Sequence, residues 1–252
     1  MYEQKKEVIL LYSKEFFEEI EHAAQKSAEQ MVPIVMDLIN PSSVVDVGCG
    51  TGNWLSVFKD NGVEEILGID GDYIDRSQLR ISKSNFQPFN LENPVNVNKK
   101  FDLVISLEVA EHLPEKCANI FVQTLVNLGP IVLFSAAVPL QGGLNHINEQ
   151  WPPYWIDRFK NHGYEVIDCI RYKIWDNQEI AGYYAQNTLL FVKQDILHNY
   201  PKLLEEQKNV NHFIHSIVHP AMFEWKAGKV NLLKNKVKKL QKRMKKKKTN
   251  KS

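Results

Sequence analysis

Three glycines on alternate positions, set where a short β-branched run breaks off, constrain this chain more than any other feature. The run is Ser43-Val44-Val45-Asp46-Val47 and the glycines are Gly48, Gly50 and Gly52; an amphipathic segment with Trp54, Leu55, Val57 and Phe58 follows. That order reads as strand, tight turn, helix. Glycine here permits torsions closed to other residues and lets a ligand lie against bare backbone, and the helix behind the turn directs unpaired N–H groups at that ligand. A second apolar run, 65–69, ends in Asp70-Gly71-Asp72. An acid at the tip of the second strand is where a doubly wound nucleotide-binding sheet holds a ribose by its hydroxyls. Asp46, two residues ahead of the first glycine, departs from the dinucleotide pattern. A pyrophosphate gains nothing from a carboxylate there, whereas a cationic ligand does.

Taken together, V-D-V-G-C-G-T-G-N, then G-I-D, then S-L-E-V-A-E-H-L resembles the class I S-adenosylmethionine-dependent methyltransferases over residues 41–193. The resemblance implies S-adenosylmethionine as cofactor. Asp46 would orient its methionine part, Gly48, Gly50 and Gly52 would allow its close approach, and Asp70 would take the ribose hydroxyls. Asn90, beside Leu91, stands where the family carries an acid that meets the adenine amino group, and an Asn carbonyl still accepts a hydrogen bond. Leu107 and Glu108 would line the same pocket. In some relatives, small-RNA 2′-O-methylases and ubiquinone-pathway O-methyltransferases among them, E-x-x-E-H binds a divalent ion. Glu108, Glu111 and His112 fit that pattern and His146 could complete it, with Mg²⁺, Mn²⁺ and Zn²⁺ equally suited on ligand type. Metal-free members share E-H-L as well, so the divalent metal is a second reading rather than the adopted one.

The fold expected is α/β: a Rossmann-like, seven-stranded, mostly parallel sheet with an antiparallel last hairpin, helices on both faces and a C-terminal helix. Strands are expected at 43–47, 65–69, 85–89, 102–106 and 131–136, with helices between them such as 116–128. The runs at 164–171 and 185–193 look like the family's closing antiparallel pair. Residues 7–39 read as helices that either cap the cofactor pocket or cover a sheet edge, with Pro33 marking a first turn or a kink. The organisation expected is 1–40 as N-terminal helices, 41–195 as the methyltransferase domain, 196–225 as a helical extension and 226–252 as a basic amphipathic tail.

The loop after strand 5 carries Gly142, Gly143, His146, Trp151 and Tyr154. Ligands of open α/β sheets bind off such strand ends. Methyl transfer from a sulfonium needs in-line approach of the nucleophile, and a hydroxyl acceptor must also lose its proton, a task suited to a histidine. His146 is therefore the catalytic residue expected, and Tyr183, Tyr184, Gln186 and Asn187 could reach the pocket from the last hairpin. The string H-I-N-E-Q-W-P-x-Y-W, with N-H-G-Y-E-V and Y-Y-A-Q-N-T-L-L-F-V after it, also resembles methyltransferases of bacterial surface-glycan clusters. O-methylation of a sugar, nucleotide-sugar or capsular-polysaccharide substituent is the reaction this implies. A quinone or other small-molecule O-methyltransferase and a non-catalytic scaffold that binds the cofactor are the alternatives.

Charge is segregated. Residues 226–252 hold thirteen Lys and Arg and no acid, leaving 18 basic against 30 acidic residues in 1–225. Apolar residues at 223, 230, 233, 237, 240 and 244 give that tail a heptad-like seam. A solvated helix, a helix on anionic lipid and a dimerising coiled coil are the readings; nucleic acid is not expected, since Lys without aromatics gives charge but no base readout. Three scattered cysteines (49, 117, 169), no signal-peptide pattern and no apolar run long enough to span a bilayer point to a cytoplasmic protein, peripheral to a membrane if the tail binds lipid.

Overall fold

A computed structural model describes residues 14–209 and 215–249 of the 252-residue chain. In order, the elements are α1 (Lys14–Ile39), β1 (Ser43–Val47), α2 (Asn53–Asp60), β2 (Glu65–Asp70), β3 (Phe86–Pro88), β4 (Leu103–Leu107), α3 (Ala118–Leu128), β5 (Ile131–Ser135), α4 (Pro152–Lys160), β6 (Tyr164–Ile167), α5 (Arg171–Ile174), α6 (Gly182–Asn187), β7 (Leu189–Lys193), α7 (Pro201–Asn209) and α8 (Pro220–Thr249). The expected helix start at residue 7 lies outside the described residues. Pro33 sits inside α1 rather than at its start.

The seven strands form one sheet in the order β3-β2-β1-β4-β5-β7-β6. Neighbours from β3 through β5 are parallel, and β7 pairs antiparallel with both β5 and β6. Parallel strands need crossovers, and β1, β4 and β5 are fully buried, as expected of strands covered on both faces. Two hydrophobic clusters do the covering. On one face, Met31, Val32 and Val35 of α1 pack with Leu55 and Phe58 of α2 against Val44, Leu103 and Ile105. On the other, Phe121 and Leu125 of α3 and Trp155 and Phe159 of α4 pack against Val45, Val104 and Phe134. Strand order reverses between β1 and β4, which opens a crevice above their carboxyl ends.

The last hairpin departs from the expected bounds. β6 stops at Ile167, and 185–187 belong to α6 instead of β7. Buried Arg171 ends the strand reading: its guanidinium pairs with Asp168 and donates to the Gln186 carbonyl at 3.2 Å and the His215 carbonyl at 2.8 Å. Gln186 and Asn187 are both buried, and a strand would send them to opposite faces. The chain divides into two compact units, Met1–Ile217 and Val218–Ser252. No helix among the described residues is long and apolar enough to cross a membrane.

Candidate active site

Backbone latches the carboxyl ends of β1 and β2 together. Gly48 N–H donates to the Ile69 carbonyl at 2.7 Å, Cys49 N–H to the same oxygen at 3.3 Å, and Gly50 N–H to Asp70 Oδ2 at 2.7 Å. Gly48, Gly50 and Gly52 have φ of 92°, 53° and 89°, a region costly to residues with a Cβ. A Cβ on Gly48 would also meet Val109 at 2.3 Å, whereas on Gly50 it would meet nothing within 4 Å. The loop is thus bare backbone, packed beneath Gly48 and open beside Gly50.

Two carboxylates flank this loop. Asp46 is 3% exposed, in register with Gly68 and Ile105, with no hydrogen-bond donor among the described residues; burial, then the charge of Asp70, pushes its pKa well up. A nearby cation would restore the ionised form. Asp70 Oδ1 accepts from Gly71 N–H at 2.6 Å and from the Tyr73 hydroxyl at 2.7 Å. Tyr73 lies back over Gly71, where an added Cβ would meet its ring at 2.0 Å, and so covers Asp70 Oδ1. From α1, Glu21 reaches the glycine loop, accepting from Thr51 Oγ1 at 2.8 and 2.9 Å and from Asn53 Nδ2 at 3.2 Å. Leu107 ends β4 and is buried; Asn90 is exposed and its Oδ1 accepts from Glu92 N–H at 3.0 Å.

Beyond β4 the site is made of side chains. Glu108 holds φ 56°, a strained value for a non-glycine residue at the sheet's carboxyl end. Its carboxylate accepts from Asn187 Nδ2 at 3.0 Å and Gln141 Nε2 at 2.8 Å. Asn187 Nδ2 and Gln186 Nε2 also donate to Gln141 Oε1, at 2.9 and 3.3 Å. The amides of α6 and of the loop after β5 thereby converge on one carboxylate. Burial raises the Glu108 pKa and these hydrogen bonds oppose the rise.

Glu111 and His146 behave differently. Glu111 is fully buried and neither carboxylate oxygen has a hydrogen-bond partner of normal geometry; burial, then the charge of Glu108, pushes its pKa well up. Its backbone carbonyl accepts from Ile147 and Asn148 N–H at 2.9 and 3.0 Å, which brings the His146 loop against it. His146 Nδ1 lies 3.0 Å from Glu149 Oε1, and Glu149 is itself fixed by Gly142 N–H at 2.5 Å and Leu140 N–H at 2.7 Å. A Cβ on Gly143 would lie 2.2 Å from His146 Nε2, so only glycine lets the loop backbone pack this close to the imidazole. The His112 ring meets the His146 ring edge-on at 4.9 Å, and burial, then the charge of His146, holds the His112 pKa down. Ligand atoms of Glu111, His112 and His146 lie within 4.8 Å of one another.

The structure therefore brings together Asp46, the glycines and Asp70 in one group and Glu108, Glu111, His112 and His146 in another. Within the second group, the amides engage Glu108 and leave Glu111 to the two histidines. Glu21, Tyr73, Gln141 and Glu149 were missed in the sequence. Only Glu149 left a trace there, since H-x-x-E spacing puts a carboxylate within reach of an imidazole across one turn.

A family model described as a methyltransferase domain matches residues 16–181. No curated protein matches the sequence. Among solved structures, an O-methyltransferase family protein from Burkholderia thailandensis shares 14% identity over 75% of this chain and 62% of its own, with a TM-score of 0.52. DesVI of Streptomyces venezuelae shares 10% over 76% and 98%, TM-score 0.51. CalO1, a methyltransferase in calicheamicin biosynthesis solved with S-adenosylhomocysteine bound, shares 14% over 76% and 59%, TM-score 0.51. At these identities the likeness is one of fold.

Proposed function

The chain belongs to the methyltransferase-domain family, and on that premise we propose that it methylates a hydroxyl oxygen of a sugar, nucleotide-sugar or polysaccharide substituent, with His146 as general base. It is an S-adenosylmethionine-dependent methyltransferase. The first half of the site fits that cofactor: the uncompensated carboxylate of Asp46 suits a cationic ligand, Gly50 leaves its backbone bare, and Asp70 offers a ribose its carboxylate once Tyr73 withdraws. When bound, the cofactor supplies a methyl group made electrophilic by a sulfonium.

The observation that carries the reading is the His146–Glu149 pair at 3.0 Å. Glu149 accepts the Nδ1 proton and fixes the tautomer, which leaves Nε2 as the acceptor for a hydroxyl proton. Glu149 then stabilises the imidazolium that forms. Asp46, Asp70, Glu108, Glu111 and Glu149 are all acids, and no Lys or Arg among the described residues forms an ion pair with any of them. Such a lining favours a neutral polyol over an anion, so unphosphorylated glycan hydroxyls rank first within the class.

One observation supports a second reading, a metal-assisted O-methyltransferase for a quinone or other small molecule. The orphaned Glu111 carboxylate beside His112 and His146 is a mixed oxygen and nitrogen donor set that fits a divalent ion. Such an ion would grip the acceptor oxygen and lower its pKa. The two readings part on one experiment. Mass spectrometry follows a +14 Da product from a panel of glycans, nucleotide-sugars and catechols, with and without chelator, for the wild type and His146→Ala. Product that survives chelation and is lost in His146→Ala supports the base; activity lost to chelator and restored by Mn²⁺, Mg²⁺ or Zn²⁺ supports the metal. Cofactor binding without any product would favour a scaffold.

A further inference from the structure

The acidic body carries a helix of opposite character, and the methyl-transfer reading leaves it unused. Helix α8 runs over thirty residues with one acid, Glu224, near its start and Lys or Arg at twelve positions. Seven of its large apolar side chains are open: Phe223 is 66% exposed, Trp225 45%, Val230 44%, Leu232 63%, Leu233 60%, Val237 51% and Leu240 56%. At 100° per residue Phe223, Val230, Leu233, Val237 and Leu240 fall within an arc of about 100°, with Trp225 and Leu232 on the opposite side. Lys229, Lys234 and Lys236 border the arc on both sides, and the Lys229 ammonium lies 3.6 Å from the Trp225 ring centroid.

We propose that α8 lies in the surface of an anionic lipid bilayer, its Phe223–Leu240 stripe in the acyl boundary and its lysines at the headgroups. Charge selects this occupant. In a second copy of the chain the positions flanking the seam would set Lys against Lys, which opposes pairing. An acidic partner helix would be read through a pattern of flanking charges, but Lys occupies every flank alike and specifies no register. Twelve of the thirteen tail cations are Lys rather than Arg, strongly hydrated point charges that suit a fluid surface better than bidentate phosphate recognition. Long Lys stems let the charge reach water while the stripe sinks.

The test is co-sedimentation of the full chain with vesicles of phosphatidylcholine alone or with a quarter phosphatidylglycerol, at low and high salt, with light scattering of the free protein. Expected is strong partitioning onto anionic vesicles only. Replacing Lys234, Lys236, Lys238 and Lys239 with Gln should weaken it by about six-hundredfold, about fivefold for each Lys. Replacing Val230, Leu233, Val237 and Leu240 with Gln should also release the protein, because the stripe contributes apolar burial. Equal binding to neutral vesicles, retention by the stripe variant, or a free protein that self-associates through α8 without partitioning would each overturn the proposal. So would a chain that ignores vesicles yet captures an acidic helical peptide or an RNA.

Discussion

The two halves of the candidate site are built from different material. The cofactor half is backbone: a loop of five residues, latched to β2 by N–H groups, with one carboxylate on either side. The acceptor half is side chain, drawn from β4, the loop after β5 and α6, and held by amides and a His–Glu pair. Backbone geometry is dictated locally, so the first half is fixed by two short stretches, the glycine turn after β1 and the tip of β2. Side-chain convergence depends on where distant elements dock, and the second half can vary its acceptor while the first stays constant.

Changes that sharpen this contrast are ordered by expected size. His146→Ala should lower kcat by on the order of a hundredfold to ten-thousandfold, as for loss of a general base, with cofactor affinity by calorimetry unaltered; a parallel loss of cofactor affinity would dissolve the boundary between the halves. Gly48→Ala meets a left-handed torsion and Val109 together. It should cost about 2 kcal/mol of stability and weaken cofactor binding at least about tenfold, read by thermal melting and calorimetry. Glu149→Gln should reduce kcat about tenfold and spare KM, since it orients His146 without touching the acceptor.

Burial and the charge of Glu108 hold the Glu111 carboxyl well above the usual range, so the native state keeps a proton that the unfolded chain has released. Native stability therefore falls as pH rises above about 4.3 and toward the native value. Glu111→Gln should flatten that fall and raise stability by about 1 to 2 kcal/mol at neutral pH, seen as melting temperature against pH. A melting temperature lowered by the substitution would indicate a partner for the ionised carboxylate, as the metal reading requires. Smallest is Tyr73→Phe, which frees Asp70 Oδ1 and should tighten cofactor binding about fivefold, one hydrogen bond's worth; weaker binding would make Tyr73 part of the cradle instead of its stand-in.

Much of the fold was legible in advance. The strands through β5 fall within about two residues of expectation, because β1, β2, β4 and β5 are apolar runs rich in Val and Ile. The bounds of the closing hairpin were not, because Arg171 breaks the first run by forming a buried network whose partners, Gln186 and His215, are distant in sequence. Alternation of residue types could not show that Gln186 and Asn187 turn inward together.

By itself the sequence determined the sheet, the glycine turn and the carboxylates at the tips of β1 and β2, since these follow from torsional freedom, strand periodicity and nearest neighbours along the chain. It also determined the segregation of charge into an acidic body and a basic helix. Tertiary structure alone decided which carboxylate of E-V-A-E-H is tied to amides and which faces two imidazoles, and it selected two local contacts, Tyr73 on Asp70 and Glu149 on His146, from those within reach along the chain. The choice between the two carboxylates rests on packing between segments tens of residues apart, where a side chain's partner is set by the elements beneath it and not by its neighbours in sequence.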